Sequence, residues 1–160
     1  MPNLQKKRSG ERNSNLTQTL RGVAGRGSVV CPMPSCKCDA GDQRAVLDGK
    51  QILVIEDDPV IAADYHFRLR RLGAMDTIEP SNQRALEYLG AHHVDAAIVD
   101  YYLGDGPSVP VIEFLTSLHI PFVLVSGDTF AMRELATHAP VLSKLATSME
   151  VCQALSDVLH

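Results

Sequence analysis

The sequence predicts an α/β fold: a parallel five-stranded sheet with helices on both faces, preceded by a tail that has no core of its own. Two observations predict it. From residue 51 to residue 159, short β-branched apolar runs alternate five times with stretches whose apolar residues recur every three or four positions. The composition also splits sharply: residues 1–50 hold nine Lys/Arg against four Asp/Glu, whereas residues 51–160 hold six against fifteen. All eight aromatic residues (Tyr65, Phe67, Tyr88, Tyr101, Tyr102, Phe114, Phe122 and Phe130) lie in the second part.

A segment with six Gly and no aromatic side chain cannot bury enough apolar area to offset its chain entropy. Residues 1–49 are therefore expected to be mostly disordered, with the folded unit, residues 50–160, starting near Gln51. Within the tail, Cys31, Cys36 and Cys38 lack paired metal-ligand spacing and a nearby His, and read as reduced thiols. Lys6-Lys7-Arg8 reads as a solvated basic end, and the sequon Asn15-Leu16-Thr17 carries no weight in a chain that is not exported. No apolar run is long enough to span a membrane, and no apolar stretch follows the basic residues near Met1. A cytoplasmic location is expected.

The elements follow in order. Gln51 to Ile55 is a short β-branched run of the kind that forms a buried parallel strand. Asp58 and Pro59 then open a helix with Ile61, Tyr65, Leu69 and Leu72 on one stripe and Gly73 just past its end. Met75 to Ile78 is a weak second strand, and Ser81 caps a short helix to Leu89. Ala96 to Val99 is a third buried strand ending at Asp100, followed by a loop through Gly104-Asp105-Gly106-Pro107. The next helix places Val111, Ile112, Leu115 and Leu118 on one face. Pro121 to Val125 is the fourth strand, ending at Ser126-Gly127, and a short helix is expected from Thr129 to Ala136. A brief strand at Val141-Leu142 precedes a last helix with Val151, Cys152, Leu155, Val158 and Leu159 inward. This is the size and alternation of a flavodoxin-like three-layer sandwich of strand order 2-1-3-4-5. A dinucleotide-binding sheet would need a Gly-rich turn after its first strand, where this chain has Glu56-Asp57-Asp58-Pro59, and no Walker A motif is present.

Chemistry collects where such sheets bind ligands, outside the carboxyl ends of the strands at the switch point. The first and third strands are neighbours there, about 4.8 Å apart, so Glu56, Asp57 and Asp100 share one crevice. Like charges that close raise one another's pKa or call for a counter-cation, and hard oxygen ligands suit Mg²⁺ or Mn²⁺ rather than zinc. Glu56, Asp57 and Asp58 also favour the positive end of the first helix, which accounts for Asp58 but not for Asp100. Ser126 and Lys144 end strands on the same edge. His92, His93 and His119 read as surface or helix-end residues.

Ile52-Leu-Val-Ile-Glu-Asp-Asp-Pro59, Ala97-Ile-Val-Asp100, Val123-Leu-Val-Ser126-Gly127 and Val141-Leu-Ser-Lys144, in this order and at these strand ends, resemble the receiver domain of two-component response regulators. The resemblance covers residues 51–159. It implies that Asp100 accepts a phosphoryl group from a histidine kinase or a histidine phosphotransfer protein. It further implies that Glu56, Asp57 and Asp100 hold Mg²⁺ together with the main-chain carbonyl of Tyr102, while Ser126 and Lys144 contact the phosphoryl oxygens. The chain departs from the family twice: Leu145 replaces the proline that usually follows the lysine in a cis bond, and Val141 stands where an aromatic switch residue is common. A non-proline cis bond costs about 3 kcal/mol, so a trans bond is expected after Lys144.

The function expected is a stand-alone receiver, not an enzyme, that signals to a downstream protein target through the face of its fourth helix, fifth strand and fifth helix, with no direct DNA binding and no membrane contact. The alternative is a degenerate receiver that binds its partner without phosphorylation, a reading favoured by Val141 and Leu145. A phosphatase of the haloacid-dehalogenase type is disfavoured, because it would need an aspartate where Tyr102 stands.

Overall fold

The structure is a computed structural model and describes residues 40–127 and 139–160. The elements are α1 (Ala40–Leu47), β1 (Gln51–Ile55), α2 (Pro59–Arg71), β2 (Met75–Glu79), α3 (Asn82–Ala91), β3 (Ala96–Asp100), β4 (Tyr102–Leu103), β5 (Gly106–Pro107), α4 (Val109–Ser117), β6 (Phe122–Ser126), β7 (Val141–Ser143) and α5 (Ser148–Val158). Five strands form one parallel sheet in the order β2-β1-β3-β6-β7, which is the predicted 2-1-3-4-5 once the small β4–β5 pair is set aside. The register pairs Leu53 with Ala97, Val99 with Leu124 and Val125 with Leu142.

Alternate residues of each strand face opposite layers, and both layers are apolar. Ile52, Val54, Ile98, Val123 and Val125 pack with Tyr65 and Leu69 of α2 and Val151, Cys152 and Leu155 of α5. Leu53, Ile55, Val99 and Leu124 pack on the other side with Ala85 and Leu89 of α3 and Val111, Ile112 and Leu115 of α4. Each of the three inner strands is therefore an uninterrupted buried run rather than an alternating one.

The helix boundaries obey local chemistry. Asp58 caps α2, its side chain accepting from Val60 N at 2.8 Å, with Pro59 in the first turn. Gly73 follows at φ +87°, a conformation that costs glycine nothing. Thr147 and Glu150 form a reciprocal capping box at the start of α5.

Three expectations are corrected. The folded unit does not start near Gln51: Ala40–Leu47 is helical, and Leu47 is fully buried in the α2–α5 core layer. Gln43 of α1 also donates a hydrogen bond to Gln153 of α5. The stretch Ala40–Leu47 has too few bulky apolar residues to announce a stripe, so its order comes from docking rather than from its own propensity. The loop after Asp100 contains a two-residue antiparallel ladder, Tyr102 opposite Pro107 and Leu103 opposite Gly106. Leu118 is not on the buried face of α4: the helix stops at Ser117, Leu118 is exposed, and His119 turns the chain at φ 56°. The other tail signals, at Cys31, Cys36, Cys38, Lys6-Lys7-Arg8 and Asn15, and the helix expected from Thr129 to Ala136 lie outside the described residues. Among the described residues no helix is long and apolar enough to cross a membrane.

Candidate functional site

The register of β1 against β3 sets Ile55 beside Val99, so the next residues, Glu56 and Asp100, leave the sheet side by side. Both are buried, at 2% and 1% exposure, while Asp57 is exposed at the mouth. Each of the three offers a carboxylate oxygen, and these atoms all lie within 4.8 Å of one another. Asp58, the last acid of the Glu56-Asp57-Asp58 run, is turned away into the cap of α2. The acidic run thus divides by role: Asp58 starts a helix, and its two predecessors face the crevice.

Lys144 reaches into the same crevice from the end of β7. Its Nζ lies 2.5 Å from Asp100 Oδ2 and 3.9 Å from Glu56 Oε1. What aims it is strand pairing. Ser126 is in register with Ser143, and Lys144 N donates to the Ser126 carbonyl at 3.0 Å. No cis peptide bond occurs among the described residues, so the bond after Lys144 is trans as expected, and the lysine reaches Asp100 nonetheless. Ser126 itself is buried at the carboxyl end of β6, one position beyond the residue paired with Asp100. Val141, at the start of β7, is half-buried.

The loop after β3 closes the other side. Tyr102 N donates to Asp100 Oδ1 at 3.3 Å, and the Tyr102 ring is about half exposed. Ser108, fully buried, donates its hydroxyl to the main-chain carbonyl of Asp100 at 2.6 Å. A Ser directly before Val109-Pro110 reads as a helix cap, yet it makes no cap hydrogen bond here, so sequence reasoning had no sign of its contact with Asp100. His92, His93 and His119 are exposed and do not join the acid cluster, as expected.

The electrostatics follow from burial and crowding. Glu56 is raised from 4.5 to about 7, first by burial and then by the charge of Asp100, against the opposing hydrogen bond from Asp58 N and the charge of Lys144. Asp100 is also raised by burial, with Lys144 and the Tyr102 amide pulling the other way. Burial alone would lower Lys144, but its hydrogen bond to Asp100 and the surrounding carboxylates hold it above the ordinary lysine value. Three acids with one ammonium form a cluster short of positive charge. Its hard, anionic oxygens match what a small divalent cation such as Mg²⁺ binds.

No family model matches the chain, and no curated protein matches it significantly. Solved structures do. A response regulator receiver protein from Sinorhizobium medicae is 24% identical over 71% of this chain and 96% of its own, with a TM-score of 0.61. The receiver domain of a sensor histidine kinase from Pseudomonas aeruginosa, solved with magnesium in its active-site cleft, is 20% identical over 69% of this chain and 98% of its own, with a TM-score of 0.62. A response regulator protein from Burkholderia pseudomallei, with a phosphorylated aspartic acid and a calcium ion, is 26% identical over 66% of each chain, with a TM-score of 0.59.

Proposed function

From a chain that has the fold of response-regulator receiver domains, we infer a receiver that takes a phosphoryl group on Asp100 and passes the signal on by protein contact. The observation that carries this reading is the meeting of Glu56, Asp57 and Asp100 with the Lys144 ammonium at one sheet edge, from three separate stretches of the chain.

The chemistry assigns each group a task. A carboxylate oxygen of Asp100 attacks phosphorus, a P–O bond forms, the bond to the donor (an imidazole nitrogen of phosphohistidine, or the oxygen of an acyl phosphate) breaks, and a mixed anhydride results. Glu56, Asp57, Asp100 and the main-chain carbonyl of Tyr102 are the residues that would hold Mg²⁺, which when bound neutralises phosphoryl oxygens so that one anion can approach another. Lys144 pairs with a second phosphoryl oxygen once Asp100 no longer holds it, and the Ser126 hydroxyl donates to a third. A histidine kinase or histidine phosphotransfer protein is the donor class, and a downstream protein is the target. Drawing the Ser126 hydroxyl toward the phosphoryl group would bias the domain between two pre-existing packings.

Incubation of the full chain with acetyl phosphate and Mg²⁺, followed by intact mass measurement, tests this. A gain of one phosphoryl group that disappears in Asp100→Asn supports it. A folded wild-type protein that takes up none, and that beryllofluoride does not perturb, points instead to a phosphorylation-independent binding module.

A further inference from the structure

The hairpin formed by β4 and β5 is bound to α3 by a set of contacts that the chemistry above does not use. Asp105, at its turn, accepts through Oδ1 from both Asn82 N and Asn82 Nδ2, each at 3.1 Å, and through Oδ2 from Gln83 N at 3.3 Å. These are the first amides of α3, where a carboxylate also meets the positive end of the helix dipole. Asn82 in turn donates its side-chain NH₂ to the carbonyls of Gly106 and Pro107, at 3.2 and 3.4 Å. Its side chain is buried, and its Oδ1 is buried without a hydrogen-bond partner. The fold tolerates that orphan oxygen while the NH₂ group serves the hairpin.

The hairpin touches the acid cluster at both of its ends. At the turn, a Cβ on Gly104 would lie 3.5 Å from Asp57 Oδ2, so the backbone passes close over that carboxylate. At the base, the Tyr102 amide donates to Asp100 Oδ1, and Ser108 binds the Asp100 carbonyl through its hydroxyl and the Tyr101 carbonyl through its amide. A two-residue ladder is too short to hold such a loop by itself. The contacts with the start of α3 give it a second anchor, beside those at its base.

We propose that Asp105 and Asn82 are positioning residues that hold the Asp100–Ser108 loop in the arrangement needed for divalent-cation binding, so that the start of α3 serves as an outer support of the phosphorylation site. The inference rests on the reading of Asp100 and its neighbours as a metal-assisted acceptor, and adds to it two residues that touch neither phosphoryl group nor cation.

The test compares Mg²⁺ affinity by titration calorimetry with amide hydrogen exchange at Tyr102 and Ser108 in the metal-free full chain. Asp105→Ala is expected to weaken Mg²⁺ binding by roughly 10-fold and to speed exchange at both amides, while Asp105→Asn, which keeps one oxygen for Asn82 but loses the acceptor facing Gln83 N, is expected to lose less than Asp105→Ala. Asn82→Ala, which removes only the side-chain contacts to the hairpin, behaves like Asp105→Ala and serves should that variant not fold. Ser81→Ala is the control, since Ser81 caps the same helix through Arg84 N without touching the hairpin. It lowers the melting temperature but leaves Mg²⁺ affinity within about twofold. Unchanged Mg²⁺ affinity in both Asp105→Ala and Asn82→Ala, or an equal loss in Ser81→Ala, overturns the positioning role alone. Absence of Mg²⁺ binding in the wild type overturns the acceptor reading and this inference together.

Discussion

Lys144 and Asp100 meet at 2.5 Å although 44 positions separate them and leucine, not proline, follows the lysine. The pairing of Ser126 with Ser143 delivers the lysine to the crevice, so the sheet itself does the aiming. Under the proposed function, a cation or a phosphoryl group would compete with this ammonium for the Asp100 carboxylate. Lys144→Met is therefore expected to act in opposite directions on two measurements. Phosphorylation by acetyl phosphate at saturating Mg²⁺ slows by roughly 10²-fold, because a charge that stabilises the transferring group is gone. Mg²⁺ affinity rises by roughly 3- to 10-fold, because a competing cation has left the carboxylates. Parallel losses in both would mean that Lys144 only supports the fold.

Glu56 carries a pH signature. Its carboxyl titrates near 7 in the folded protein against 4.5 ordinarily, so between those values the native state holds a proton that the unfolded chain has released. Stability therefore falls as pH rises from about 4.5 to 7, and the full penalty stands above 7. Glu56→Gln removes the penalty and keeps an oxygen to accept from Asp58 N. With a chelator present, the variant is expected to exceed wild type by roughly 2–4 kcal/mol at pH 8 and to match it near pH 4.5, measured by urea unfolding. Saturating Mg²⁺ narrows or reverses the gap at pH 8, since only the wild type supplies all three carboxylates.

How much of this was legible in the sequence depends on the range over which each signal acts. Gln51–Ile55 and Ala96–Asp100 are continuous apolar runs, Asp58-Pro59 is a local cap, and acids directly after two strands that topology makes neighbours mark a shared edge. Each of these can be read within a few residues. Leu47 could not be, because α1 is ordered by what it docks against and not by its own stripe. Nor could the contacts of Asp105, whose Gly-Asp-Gly setting reads as a plain turn while its partners sit 22 and 23 positions earlier. The exposed Leu118 shows the converse failure: the helical period of α4 continues through it, yet the helix has already ended at Ser117.

Cys152 lies fully buried on the inner face of α5, and burial pushes its thiol up to about 12. A thiol neither ionised nor accessible reacts only when the helix opens. At pH 8, alkylation followed by peptide mapping is expected to label Cys152 at least roughly 100-fold more slowly in the native protein than in urea. Its labelling rate should fall further when Mg²⁺ is added, to the extent that the cation stabilises the native state. Rapid native labelling would show that α5 is loosely held.

The same core layer gives the sharpest check on α1. Leu47 packs in the cluster that contains Leu69, Leu72, Val151 and Leu155, so removing its isobutyl group leaves a cavity between α1, α2 and α5. Leu47→Ala is expected to destabilise the protein by roughly 2–4 kcal/mol, a drop of about 8–15 °C in Tm by circular dichroism. Arg44→Ala, on the exposed side of the same helix, should stay within about 0.5 kcal/mol. The contrast separates docking from propensity. Alanine is a good helix former at either position, so a helix held by its own sequence would tolerate both changes, and one held by tertiary packing fails only at Leu47.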